Sequence, residues 1–455
     1  MKKLLFRSTN RKSPPVSFRE AILKGQPPDY GLYMPVFIPR IEKEEIEKFK
    51  NMSYSEIAFH IIKRFTGEEI EEKKLFEMIE EAYRDIEVPV QKIEENFYLL
   101  YLDRGPTASF KDFAARLMAR IMKYFAREEK KHLIILVATS GDTGGAVANA
   151  FWNVENTSVV VLFPEEEITE RQRRQMTTLG NNIIAVAVRG KFDDCQAIVK
   201  RAFNDKDLSY LNLTSANSIN FGRLLPQSVY YFYAFSRIEA DEVIFSVPSG
   251  NFGNLMGGVF AREMGLPVKK FIVAVNENDE FPKFLQTGIY KPVEPSKKCS
   301  SNAMNVGHPS NLARLIDLYG GWLLDERDEK GEIIKKGVLK EKPDMERLRK
   351  DFVSFSITDE EVDETIINFY RKYRIIIEPH GAVGIKAVEK ASVDGITISL
   401  ETANPAKFPE KIKELLGITP ELPPSLKEIE SKEERYDVIE KSYECFKKFL
   451  KKKFE

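Results

Sequence analysis

Cysteine and histidine are scarce in this sequence: three cysteines, Cys195, Cys299 and Cys445, and four histidines, His60, His132, His308 and His380, in 455 residues. The cysteines lie far apart, which leaves neither a disulfide framework nor a paired-thiolate zinc site. The histidines lack the close spacing of a ligand set, so no metal is expected, and a reducing, cytoplasmic setting fits best. Long apolar runs are missing too. The longest, LIILVA at 133–138, is far below the roughly 20 residues of a membrane span. Only Leu4, Leu5 and Phe6 follow the basic start before Arg7 interrupts, too few for a signal-peptide core. Nor does either sign of charge prevail: 69 Lys plus Arg face 70 Asp plus Glu, a formal net charge of -1, which argues against nucleic acid or a membrane surface as partner. With 43% hydrophobic residues the chain is not disordered. Against a usual domain of about 100 to 200 residues, its length predicts two or three globular units.

What is present is an alternation. From about 41 to 87 the segments KEEIEKF and EEKKLFEMIEEAY place apolar residues three and four apart, the mark of amphipathic helices. Short runs rich in β-branched or aromatic residues follow: FYLLYL (97–102), LIILVA (133–138), SVVVLF (158–163), IIAVAV (183–188), EVIFSV (242–247), FIVAV (271–275) and RIII (374–377). Helix-like stretches separate most of them, which predicts an α/β protein with parallel strands covered on both faces. A charged interval at 325–350 reads as a solvated insertion, and its calcium-loop reading fails because Gly337 stands where a bidentate Glu is required. The Lys- and Glu-rich tail after Pro424 reads as a charge-laced surface helix.

Open sheets of this kind bind ligands where glycine turns leave the carboxyl ends of strands, and three such turns exist. Gly141-Asp142-Thr143-Gly144-Gly145 follows LIILVA and opens an Ala-rich helix, an anion site by its free amides, though by shape alone equally a plain loop. Its glycine spacing matches neither a dinucleotide fingerprint nor a Walker loop. Ser249-Gly250-Asn251-Phe252-Gly253-Asn254 follows EVIFSV; its glycines let backbone amides converge on a phosphate, and Gly253 is expected to take a positive φ. Val247 two residues before Ser249 argues against a serine-hydrolase elbow. The third turn is GPTASFKDF at 105–113. Ser109 is the expected N-cap, which puts Lys111 in the first helical turn. There the helix dipole and partial burial lower its amine pKa and suit it to a Schiff base.

These turns, with GLYMP at 31–35, NLTSANSIN at 212–220, SNAM at 301–304, EPHGAVG at 378–384 and ETANPAKFP at 401–409, in this order, resemble the threonine synthase family, of the long bacterial and fungal type within the fold-type II pyridoxal-phosphate enzymes. The resemblance implies two open, twisted, parallel-rich sheets with flanking helices. The units expected along the chain are an N-terminal mostly helical piece (1–95), an α/β unit with the Schiff-base lysine and SGDTG loop (96–225), and a second α/β unit with the phosphate loop, charged insertion and C-terminal helices (226–455).

It also implies pyridoxal 5'-phosphate as cofactor. Lys111 is then the imine-forming lysine, Ser249, Gly250, Asn251, Phe252, Gly253 and Asn254 the cradle of the cofactor phosphate, and Asp142 the side chain facing the ring hydroxyl. Thr402 falls against the pyridine nitrogen, where a hydroxyl does not hold the ring protonated. The substrate side falls to Thr107, Ser140, Thr143, Asn217, Ser218 and Arg223, the last offering a fork of donors suited to phosphate. The implied reaction turns O-phospho-L-homoserine and water into L-threonine and inorganic phosphate, in a monomer or homodimer. Asn404 and Arg104 depart from the histidines usual in the family. The alternatives are another fold-type II lyase acting on a phosphorylated or hydroxylated amino acid, and a sensor without turnover, against which Lys111 argues.

Overall fold

The computed structural model describes residues 4–329 and 331–455; the first three residues of the basic start lie outside that range, as does Lys330 of the charged interval. Two sheets organise it. The larger has six strands in the order Phe352–Ser356, Val268–Val275, Val243–Pro248, Thr397–Glu401, Phe97–Tyr101, Val90–Glu94. All its pairings are parallel except the edge hairpin between Val90–Glu94 and Phe97–Tyr101. The second is wholly parallel: Asp437–Glu440, Ile183–Arg189, Thr157–Pro164, Leu133–Ala138, Leu213–Ser215. Its inner strand Leu133–Ala138 is buried at every residue, as is Val243–Pro248 in the larger sheet. Helices cover both faces of such strands, so no position along them needs to be polar.

The N-terminal helices form as the spacing predicts. Tyr54–Thr66 starts at a capping box, in which the Glu56 amide donates to Ser53 Oγ (3.2 Å) and the Ser53 amide to Glu56 Oε2 (2.7 Å). It buries Ile57, Ala58, Ile61, Ile62 and Phe65, one face at three- and four-residue steps.

The three units expected along the chain do not close separately. Phe97–Tyr101 joins the sheet of the third unit, and Asp437–Glu440 near the end of the chain extends the sheet of the second. Parallel neighbours are reached only through long crossovers, and here some of those connections carry the chain from one sheet to the other.

RIII at 374–377 is not a strand. Arg374 ends the helix Asp359–Tyr373 in a left-handed conformation (φ 59°), and Pro379 opens the next helix, leaving no room for pairing. The place beside Val243–Pro248 goes to Thr397–Glu401. The charged interval contributes to an antiparallel hairpin, Trp322–Arg327 with Ile333–Glu341, and to the helix Met345–Asp351. The tail does more than present charge: its helix Tyr443–Phe454 buries Tyr443, Phe446 and Leu450.

Glu280 opens the helix Glu280–Thr287, whose Phe281 packs edge-on against Phe252 of the Ser249 loop (5.0 Å between ring centroids). The Glu280 side chain is buried, Oε2 lacks a hydrogen-bond partner among the described residues, and burial pushes its carboxyl up from 4.5 to about 8. A folded-state pKa above the unfolded one means that stability falls as pH rises through this window. Glu280→Gln is therefore expected to melt several degrees above the parent at about pH 9 and together with it at about pH 4, measured by thermal denaturation at both.

Candidate active site

Each glycine turn leaves the end of a strand and enters a helix. After Leu133–Ala138, Thr139 Oγ accepts hydrogen bonds from the amides of Gly141 (2.9 Å) and Gly144 (2.8 Å), and Gly141 turns at φ 136°, where a Cβ would lie 2.5 Å from the Gln172 side chain. The helix Asp142–Phe151 thus opens with Asp142 buried at its first turn. In the third turn, the Thr107 amide and hydroxyl donate to the Asp112 carboxylate (2.8 and 2.6 Å). That clasp sets the start of the helix Lys111–Glu128, and the N-cap position falls to Phe110 without a side-chain cap. Ser109 is therefore not the cap: it is fully buried, bridges to Ala403, and its hydroxyl finds no partner among the described residues. Lys111 nonetheless occupies the first helical turn.

The Ser249 loop is knitted from inside. Ser249 Oγ donates to Asn254 Oδ1 (2.7 Å) and Asn254 Nδ2 to the Pro248 carbonyl (2.8 Å). The left-handed residue is Phe252 (φ 60°), not Gly253, which begins the helix Gly253–Glu263. The tightest approach is at Gly250: a Cβ there would stand 2.8 Å from the Met304 Cα and 2.9 Å from the Ala303 carbonyl oxygen, both backbone. Asn251 Nδ2 donates to Ser218 Oγ (2.6 Å), tying this loop to 212–220. Arg314, wholly buried, donates to the carbonyls of Tyr33 (3.1 Å), Ser218 (3.2 Å) and Ile219 (2.7 Å).

These loops enclose a cavity of about 100 Å³. Lys111, Ser140, Asp142, Thr143, Asn217, Ser218, Arg223, Gly250, Asn251, Gly253, Asn254 and Thr402 all line it. Thr107, Ser249 and Phe252 do not; the first two spend their hydroxyls on Asp112 and Asn254, and Phe252 turns to Phe281. A second cavity of about 230 Å³ shares Phe192, Gln196, Asn251 and Val306 with the first.

Charge is concentrated around Asp142. Its Oδ1 lies 2.5 Å from Lys407 Nζ and accepts from Gln172 Nε2 (3.1 Å), while Oδ2 is 3.7 Å from Lys111 Nζ. Burial alone would raise this carboxyl; Lys407 and Lys111 outweigh it and hold it well below the usual range. Burial lowers Lys111, with Lys407 and Arg223 adding to the effect against Asp142, which favours the nucleophilic amine. Burial also brings Arg223 down to about 10. Its Nη1 donates to the Ala216 carbonyl (2.7 Å), Nε has no hydrogen-bond partner, and no ion pair reaches it among the described residues.

Sequence reasoning missed Lys407, Gln172 and His380. The first and last lie inside ANPAKFP and EPHGAVG, motifs noted there only for their resemblance. His380 lines the cavity with Nδ1 2.5 Å from Glu378 Oε2, and its Nε2 accepts from the Ala303 amide (3.1 Å). The two departures meet outside the cavity: Asn404 Nδ2 donates to Asp103 Oδ2 (2.7 Å), and Arg104 Nε lies 3.3 Å from Asp103 Oδ1. No group of three or more His, Cys, Asp or Glu among the described residues is arranged to hold a metal, and no helix among them is long and apolar enough to cross a membrane.

The chain matches three family models: "Threonine synthase N terminus" over residues 5–83, "Pyridoxal-phosphate dependent enzyme" over 83–397 and "Threonine synthase, C-terminal" over 381–450. It is 36% identical over 452 residues to a threonine synthase of Pseudomonas aeruginosa, covering 95% of each chain. The crystal structure of pyridoxal-phosphate-bound threonine synthase from Brucella melitensis superposes with a TM-score of 0.90 at 33% identity, over 99% of both chains. That of threonine synthase from Escherichia coli does so with 0.88 at 34% identity, over 99% of this chain and all of the other.

Proposed function

The chain belongs to the threonine synthase family, and from that premise we infer that it converts O-phospho-L-homoserine and water into L-threonine and inorganic phosphate with pyridoxal phosphate as cofactor. The residues present suit the cofactor. Gly250 lets the loop close on the backbone at 303–304, where any Cβ would collide, and Lys111 offers an amine whose burial favours the neutral form. Pyridoxal phosphate, when bound, supplies the electron sink that acidifies protons near the substrate nitrogen. The chain supplies the rest. Lys111 would hold the cofactor and, once freed, carry protons at its Nζ between the substrate carbons. Gly250, Asn251, Gly253 and Asn254, on the backbone held by Ser249 and Phe252, would cradle the cofactor phosphate, and Thr402 would face the ring nitrogen.

The observation that carries the choice of substrate is Arg223: a buried guanidinium in the same cavity as Lys111, with no carboxylate paired to it. An unpaired buried cation is costly unless a ligand completes it. With the Ser218 hydroxyl, Asn217 and Thr143 it would hold the substrate phosphate and stabilise it as it leaves; Asn217 Oδ1 also lacks a partner among the described residues, while its Nδ2 donates to the Ala138 carbonyl (3.0 Å). Ser140 lies on the same side, and Thr107 supports it through Asp112. All these groups come from one chain, which suits a monomer or homodimer, and three unpaired cysteines suit the cytoplasm. Incubation with O-phosphohomoserine, assayed for threonine and phosphate together, is expected to yield equal amounts. Ammonia with a 2-oxo acid in place of threonine would move the chain to the rival class of fold-type II lyases.

The cradle has its own test. Gly250→Val forces the backbone at 303–304, part of the cavity wall, away from its position. Cofactor affinity is expected to fall by about tenfold or more, with a smaller loss in apoprotein melting temperature, since large-to-tight changes cost about 1–3 kcal/mol. Titration of apoprotein with cofactor, beside its thermal melt, measures both.

A further inference from the structure

Two buried lysines stand on opposite sides of Asp142, and the reaction uses only one of them. Lys111 lines the cavity; Lys407 does not, and Asp142 is interposed. The Lys407 side chain is completely buried, its Nζ 2.5 Å from Asp142 Oδ1 and donating to the Thr107 carbonyl (3.1 Å). Its backbone is fixed locally: Pro405 starts the short helical turn Pro405–Lys407, Asn404 Oδ1 accepts from the Ala406 amide (3.0 Å), and Arg171 Nη1 donates to the Ala406 carbonyl (2.5 Å). Arg171 lies in the helix Glu170–Thr177, which also carries Gln172, the second donor to Asp142 Oδ1. Oδ1 is therefore tied back by two donors from a braced wall, and Oδ2 alone turns towards Lys111.

We propose that Lys407 is a positioning residue, the fixed counter-cation that neutralises Asp142 and so sets the charge felt at the Lys111 nitrogen. The nitrogen of Lys111 must shed its proton to react, so a carboxylate relying on Lys111 alone would lose its partner whenever that nitrogen is neutral. A buried carboxylate without a counter-charge captures a proton or expels its neighbours. Lys407 removes that dependence, because its charge does not change when Lys111 reacts. The groups facing Asp142 are Lys407, Lys111, Gln172 and His380; those facing Lys111 are Asp142, Lys407, Arg223, Glu378 and the Phe110 ring at 4.6 Å.

The inference rests on Lys111 as the imine-forming amine, which borohydride reduction and peptide mass spectrometry of the parent verify separately. The experiment is a pH titration of the visible band of the cofactor-loaded protein. In Lys407→Met the protonated Lys111 nitrogen becomes, among the described residues, the one lysine within ion-pair distance of Asp142, the two titrate as a pair, and the midpoint is expected to rise by about one pH unit or more. Asp142→Asn leaves Lys407 unbalanced and is expected to lower it by a similar amount. The double variant is expected to return to within about half a unit of the parent, and Lys407→Arg to stay there. A Lys407→Met protein that does not load is read as apoprotein, through the pH dependence of reductive methylation at Lys111. Should that variant not fold, the isosteric Asp142→Asn decides alone. Midpoints unchanged in Lys407→Met or in Asp142→Asn overturn the proposal.

Discussion

Lys111→Ala is expected to lose turnover to below detection and to lose the visible absorbance of the cofactor-loaded protein with it. The reason is positional as well as chemical. Lys111 stands in the first turn of the helix Lys111–Glu128, buried in the cavity wall, with Asp142 Oδ2 3.7 Å from its Nζ. Burial lowers its pKa, which favours the neutral nucleophilic amine. Lys407, the nearest other buried lysine, cannot replace it, because Asp142 separates its Nζ from the cavity. Borohydride reduction of the parent followed by peptide mass spectrometry should place the cofactor on Lys111; modification of another lysine would end the assignment. The thermal melt of the alanine apoprotein checks that the fold survives the loss of the contacts with Phe110 and Asp142.

The three turns were legible because each joins a β-branched or aromatic run to glycine and small polar residues at a strand-to-helix junction, a local pattern that spacing alone reveals. The strands Phe352–Ser356 and Thr397–Glu401 were not, because FVSFS and TISLE interleave serine and threonine with apolar residues and lack a continuous run, although Thr397–Glu401 is buried throughout. The half-buried Ser354 hydroxyl donates to the Val273 carbonyl (2.8 Å), whereas the fully buried Ser399 hydroxyl has no partner among the described residues. Ser109 misled because S-x-K-D imitates a cap, while the donors it was expected to serve are organised by the Asp112 clasp on Thr107. Lys407 was invisible for a different reason: its partner Asp142 is remote in sequence, and nothing local marks a lysine in ANPAKFP as buried. Local chemistry marked groups that line the cavity, and the fold supplied the charged partners around them.

Arg223→Ala separates a phosphohomoserine enzyme from a generic lyase of the same fold. Arg223 is buried on the cavity wall, in the short helix Phe221–Leu224 that Asn220 caps by accepting from the Gly222 amide (2.9 Å). Among the described residues its guanidinium makes one hydrogen bond, to the Ala216 carbonyl, which leaves the rest of the fork for an anion. Losing such a charge-assisted contact costs about 2 to 5 kcal/mol, or roughly 30- to several-thousand-fold in kcat/KM. The visible spectrum should stay nearly that of the parent, because the residues proposed to cradle the cofactor lie on the Ser249 loop instead. Lysine is expected to restore only part of the loss, since it keeps the charge without the bidentate fork. An arginine that merely braced the 216 carbonyl would lower the melting temperature and leave kcat/KM nearly unchanged at temperatures where the variant is folded. Steady-state kinetics on O-phosphohomoserine, with inhibition by inorganic phosphate measured in parallel, distinguish the two: the clamp predicts that phosphate inhibition weakens along with kcat/KM, and a parental value of both in a folded, cofactor-loaded Arg223→Ala protein would refute it and reopen the choice of substrate.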